Sequence, residues 1–220
     1  MSDSSPLVIV VSGPSGAGKS TVLSRVLADM DRLRFSVSHA TRAPRPGERD
    51  GVEYHFVAPA EFRSLMAQGR FLEWAEVHGE LKGTGRGEYE RAEQDQVDLL
   101  LDLDVQGAAQ LRLKFPDAVT VFIMPPSQEA LAARLRQRGS DSGASLARRL
   151  ADAAEEISLY REYQYVIIND DVDRSVLSLK SIIRAARCRT ARLDQQAQAI
   201  LATFPSSEEH HVASDPAQDR

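Results

Sequence analysis

Hydrophobic positions fall into short unbroken runs separated by stretches of helical period. Leu7–Val11 (LVIVV) is apolar and β-branched throughout, the pattern of a strand buried on both faces of a parallel sheet. A Gly-rich turn follows. Then Val22, Leu23, Val26, Leu27 and Met30 recur at helical spacing, which predicts a helix over 20–30. Strand, loop and helix form the first half of a βαβ unit. Further buried strands are predicted at Val97–Leu103, Val119–Met124 and Tyr165–Ile168, with a short one at Phe35–Ser38. Helical period returns over 128–138, 145–160 and, most strongly, from Asp173 to about Phe204. Alternating strands and helices predict an α/β fold with a mostly parallel sheet.

Two stretches depart from this pattern. Ala43–Gly51 (APRPGERDG) is a Pro/Gly-rich loop. Beyond it, strand-like pieces at Tyr54–Val57 and Leu72–Val77 flank a small helix over Pro59–Gln68. This is the signature of an inserted lobe of mixed α/β character. Gly139–Gly143 interrupts two helices and suits a mobile flap. Residues 205–220 are polar, carry no period, and are expected to be a disordered tail.

Composition narrows the class. With 27 basic against 32 acidic residues the net charge is −5, which argues against a chain built to coat nucleic acid. A local site for a small anion remains open. Cys188, the lone cysteine, excludes an internal disulfide and a Cys-based zinc cluster and fits a reducing compartment. It is expected to be a small buried hydrophobe in a helix. No apolar run approaches the roughly 18 residues of a membrane helix. Met1–Pro6 shows no signal pattern, so a cytoplasmic protein without a membrane partner is expected. His39, His55, His78, His210 and His211 show no metal spacing.

The chemistry begins at Gly13-Pro14-Ser15-Gly16-Ala17-Gly18-Lys19-Ser20, which matches G-x-x-x-x-G-K-[ST] between strand and helix. Glycines let backbone N–H groups turn toward phosphate oxygens, and the helix N-terminus adds partial positive charge. Lys19 reaches the terminal phosphates and Ser20 is a ligand for Mg²⁺. Leu99–Asp104 is an apolar strand ending in carboxylates. Either Asp102 or Asp104 could hold the Mg²⁺ network through water. Arg42, Arg45, Arg134, Arg138 and Arg149 supply guanidinium groups suited to the charge of a phosphoryl group in flight.

The motifs SGPSGAGKST (12–21), SVSHATRAPRPGE (36–48), GVEYHF (51–56), FLEWAEVHG (71–79), LDLDVQGA (101–108), PPS (125–127), RLRQRG (134–139), RRL (148–150) and NDD (169–171) follow one another in an order that resembles guanylate kinase. The resemblance covers about 7–190. It implies a three-layer P-loop nucleoside monophosphate kinase fold with helices on both faces of the sheet. The core would be 1–34 and 90–204, with a lid at about 134–160, and 35–89 would be the GMP-binding lobe. It further implies that ATP is the phosphoryl donor and GMP (with dGMP) the acceptor, with Mg²⁺ as cofactor. Residues 13–21, among them Thr21, would bind ATP, with Asn169 beside the adenine. Ser38, Glu73 and Thr84 would read the guanine edge. Arg42, Arg45 and Tyr54 would hold the GMP phosphate, with Asp104 near the acceptor. Arg134, Arg138 and Arg149 would line the lid, and Lys19 with Arg42 and the lid arginines would be catalytic. The assembly would be a monomer or a homo-oligomer.

One segment departs from the family. The usual Gly-Asn-x-Tyr-Gly-[ST] turn before the second lobe strand reads Gly79-Glu80-Leu81-Lys82-Gly83-Thr84. Lys82 stands where a tyrosine reaches the acceptor phosphate, and Glu80 could pair with it or repel that phosphate. Gln96 also replaces a usual glycine. A paralogous kinase for another phosphorylated acceptor is therefore the alternative function. A non-catalytic guanylate-kinase-like binding domain is a third, opposed by the intact phosphate loop.

Overall fold

The apolar run near the N-terminus becomes β1 (Val8–Ser12), the central strand of a five-stranded sheet. The computed structural model describes residues 5–77, 79–137 and 143–204. Arg138, His78, the expected flap and the expected tail lie wholly or largely outside them. The other core strands are β2 (Leu33–Phe35), β7 (Asp98–Asp102), β8 (Val119–Met124) and β9 (Tyr165–Ile168). Their order is β2-β7-β1-β8-β9, and every neighbouring pair is parallel.

Alternation along β1 explains the unbroken apolar run. Ile9 and Val11 feed one core with Val22, Leu23 and Val26 of α1 (Lys19–Asp29) and Val176, Leu179 and Ile183 of α7 (Val172–Arg187). Val8 and Val10 feed the opposite core with Ala92 of α3 (Arg86–Gln94) and Ala108 and Leu111 of α4 (Val105–Lys114). Both faces are thus covered, as a parallel sheet requires, giving an α/β fold of three layers.

Inserted between β2 and α3 is a second sheet. It contains β3 (His39–Ala40), β4 (His55–Phe56), β5 (Phe71–Val77) and β6 (Glu80–Gly85) in the order β4-β3-β6-β5. It is mixed: β3 and β4 are parallel, while β6 is antiparallel to β3 and β5. α2 (Pro59–Ala67) packs Phe62 against Phe71. Opposite the core's edge, α5 (Gln128–Gln137) and α6 (Gly143–Ser158) meet through Leu131, Leu135, Leu146, Leu150 and Ala153.

Several expectations need correction. The segment 35–38 is not one strand; the chain leaves the core sheet at Phe35 and enters the lobe sheet at His39. The stretch 79–84 is not a turn before a strand, because Glu80–Gly85 is the strand. The long C-terminal helix is two, α7 and α8 (Thr190–Leu201), broken at Cys188 and Arg189. Cys188 caps α7 and is exposed rather than buried. No described helix is long and apolar enough to cross a membrane.

Candidate active site

Two functional halves meet above the C-terminal ends of the core strands, where open parallel sheets hold their ligands. The first half is the loop from β1 to α1. Gly13 has φ 143°, and a Cβ there would lie 2.1 Å from the Ile123 carbonyl oxygen. Gly18 caps α1 at φ 95° with no side-chain cap, so the first N–H groups of α1 stay free for an anion. Lys19 Nζ donates to the Gly13 carbonyl at 2.6 Å and lies 3.8 Å from Asp102 Oδ1. Ser15, Ser20 and Thr21 are exposed.

The loop is braced from behind. The Ala17 carbonyl accepts from Asn169 Nδ2 at 2.7 Å and from Arg134 Nη1 at 3.1 Å. Arg134 Nη2 also donates to the Asn169 carbonyl at 2.7 Å. Asn169 is buried, and its Oδ1 accepts from Ser175 Oγ at 2.9 Å. Its amide is thus committed to the protein. From α6, Arg149 Nη2 donates to Ser15 Oγ at 3.1 Å. Asp104 caps α4, its Oδ1 accepting from the Gln106 and Gly107 N–H groups at 2.8 and 3.0 Å. Burial holds the Asp102 carboxyl above its ordinary range, against the pull of Lys19 and Lys82.

The second half lies in the lobe. Glu73 is buried, and its Oε1 accepts from the Thr84 N–H at 2.9 Å. Burial pushes its carboxyl up to about 7, with the Thr84 hydrogen bonds opposing. Ser38 Oγ and Thr84 Oγ1 stand 3.4 Å apart beside it. Arg42 is gripped by Glu48 and lies over the Tyr54 ring at 4.9 Å. Arg45 keeps an exposed side chain; its backbone N–H donates to the Glu48 carboxylate and its carbonyl accepts from the Glu48 N–H.

Glu80 approaches Arg42 Nε at 3.9 Å. Burial lowers the pKa of Lys82, which feels Glu80, Arg42 and Arg45 from the lobe and Asp104 from the core. The two halves therefore face each other across Lys82.

The structure also brings in residues that sequence reasoning gave no role. Glu48 stands six positions after Arg42, within a motif already singled out. Glu156 lies seven residues after Arg149 on α6, hence on the same helical face. Burial raises its pKa, while the Lys19 charge opposes the shift. That periodicity was the available signal. Nothing in the sequence pointed to Gln110, in the middle of α4.

Comparison with known proteins follows this geometry. The guanylate kinase family model matches residues 5–186. The guanylate kinase of Symbiobacterium thermophilum is 50% identical over 186 residues, covering 84% of this chain and 88% of that protein. That of Vibrio cholerae is 47% identical over 197 residues, covering 89% and 95%. The crystal structure of guanylate kinase from Anaplasma phagocytophilum superposes with a TM-score of 0.76 at 35% identity, covering 92% of this chain and 97% of that one. A matched span that runs from the phosphate loop through the inserted lobe to α7 means that the chain belongs to the guanylate kinase family.

Proposed function

We propose that this protein transfers the γ-phosphoryl group of ATP to GMP, and to dGMP, giving ADP and the nucleoside diphosphate. The observation that carries this reading is Glu73, a buried carboxylate held by the Thr84 N–H with two hydroxyls beside it. Guanine offers adjacent donors at N1–H and the 2-amino group, which one carboxylate accepts together. Adenine offers no such pair. Arg42, Arg45 and Tyr54 take the acceptor phosphate, with the Lys82 ammonium as an added point charge.

The donor triphosphate lies on the loop N–H groups of residues 13–21. Lys19 exchanges the Gly13 carbonyl for phosphate oxygen. Asn169 shapes the adenine side from behind the loop, and Arg134 and Arg149 line the lid. An acceptor phosphate oxygen attacks the γ-phosphorus, the bond to the β–γ bridging oxygen breaks, and ADP leaves with the electron pair. Lys19 and the arginines stabilise the charge spread over the equatorial oxygens. The core (1–34 and 90–204), lobe (35–89) and lid (about 134–160) act as three units closing on the substrates, excluding water that would hydrolyse ATP.

The oxygen donors at this place suit Mg²⁺. The Ser20 hydroxyl and Asp102 or Asp104 are hard ligands, and among the described residues no group of three or more metal-binding side chains converges. Such a site leaves the rest of the shell to phosphates and water. When bound, the ion offsets negative charge on the phosphates. A cytoplasmic location belongs to the same reading, supported by nucleotide substrates and by a free, exposed Cys188 suited to a reducing compartment.

ADP release with ATP and Mg²⁺ fixed, across GMP, dGMP, AMP, UMP, CMP and no acceptor, tests the reading. Turnover with GMP and dGMP alone is expected. ATP binding without GMP turnover would overturn it and leave another acceptor, or binding without catalysis.

A further inference from the structure

The backbone on both sides of Glu73 is held by side chains from another element. β5 is an edge strand of the lobe sheet, so one row of its backbone groups has no strand partner. Gln110 on α4 fills that place. Its Oε1 accepts from the Trp74 N–H at 3.3 Å, and its Nε2 donates to the Trp74 carbonyl at 2.6 Å. The side-chain amide thus pairs with β5 as a neighbouring strand's peptide would. One helical turn later, the Lys114 ammonium donates to the Leu72 carbonyl. One turn earlier stands Gly107, where a Cβ would lie 2.4 Å from Glu73 Oε2.

The strand needs this support. The β5–β6 register shifts between Phe71 and Glu73, a bulge that breaks the in–out alternation. Phe71, Leu72 and Glu73 are buried in succession. Bulges re-aim side chains at the cost of ladder hydrogen bonds. Here the bulge turns Glu73 inward, and α4 holds the groups on either side of it.

We propose that Gln110 and Gly107 are positioning residues for guanine recognition. Gln110 fixes the backbone of β5, and Gly107 leaves the space in which the Glu73 carboxylate sits. Because Asp104 caps the same helix, α4 sets the base reader at a fixed distance from the acidic end of β7. Base recognition and phosphoryl transfer thereby share one rigid ruler. This inference rests on the reading of Glu73 as the base reader.

The test compares Gln110→Met, which keeps length and packing but removes both hydrogen bonds, with Gly107→Ala. The latter raises intrinsic helix propensity, so a weakened helix cannot explain its effect. For both, KM for GMP is expected to rise about tenfold, while KM for ATP stays within about twofold. The preference for GMP over IMP, which lacks the 2-amino group, is expected to fall with it. Unchanged KM for GMP in both variants would overturn the proposal. So would parallel losses in the GMP and ATP constants together with a lowered melting temperature, the mark of a structural role alone. Glu73→Gln separates the two levels. If it keeps full preference for GMP over IMP, the base-reader assignment itself fails. If it loses that preference while both α4 variants behave as wild type, only the positioning role falls.

Discussion

Glu48 binds Arg42 through both carboxylate oxygens, at 2.5 and 2.7 Å, and the Arg42 side chain is only 6% exposed. The pair keeps a cation inside the lobe in the absence of a phosphate. The Arg42 hydrogen bond holds the Glu48 carboxyl down at about 2, from 4.5. A depressed carboxylate stabilises the folded state above its unfolded pKa, and that contribution is lost as pH falls through the folded one. Stability is therefore expected to drop between about pH 4.5 and 2, and Glu48→Gln should flatten that part of the curve. At pH 7 the same variant should lose about 1–3 kcal/mol, since it leaves a buried guanidinium without its counter-charge. Urea unfolding across pH, for both proteins, checks both statements.

Glu73 titrates in the opposite sense. Burial raises its carboxyl to about 7, yet accepting two guanine donors requires the ionised form. KM for GMP should rise as pH falls below about 7, approaching tenfold per unit in the acid limit, while KM for ATP should not follow it. Binding GMP near neutral pH should release a proton, measurable by calorimetry in buffers of different ionisation enthalpy. Glu73→Gln should abolish both effects. The stability sign follows from the same shift: the folded protein holds this proton more tightly than the unfolded chain. Its contribution is therefore fully present below about pH 4.5 and lost as pH rises through 7.

The Glu80–Lys82 segment departs from its family and has a measurable consequence. Glu80 approaches Arg42 at 3.9 Å and competes with an acceptor phosphate for the same guanidinium. Replacing Glu80→Asn together with Lys82→Tyr is expected to lower KM for GMP by about two- to fivefold, the scale of a half-exposed charge interaction. Steady-state kinetics decides it; an unchanged KM would show that Lys82 already offsets the repulsion.

What could be read in advance follows from where burial leaves a mark. β1, β8 and β9 are apolar runs, and the phosphate loop has a fixed spacing with a physical cause, so both were legible. α3 was not, because in RGEYERAEQ only Glu88 and Ala92 are buried, and two positions make no period. β6 (ELKGTG) hid because a lobe strand that lines a polar site carries polar residues. The break at Cys188 and Arg189 was invisible for a different reason: α8 buries no residue, so its residues extended the apparent helical pattern without being bound by packing. Gln110 and Gly107 act through backbone edges and empty space, which no pattern of side-chain types records.

The tie between Ala17 and the distant Asn169 and Arg134 also orders events in time. The phosphate loop is complete in sequence by Ser20, but two donors that fix its shape come 117 and 152 residues after Ala17. A nascent or truncated chain that stops before β9 carries the complete loop motif without the clasp that closes it. Nucleotide affinity in this protein is thus expected to belong to the finished sheet, and to be lost in a chain truncated before its last strand.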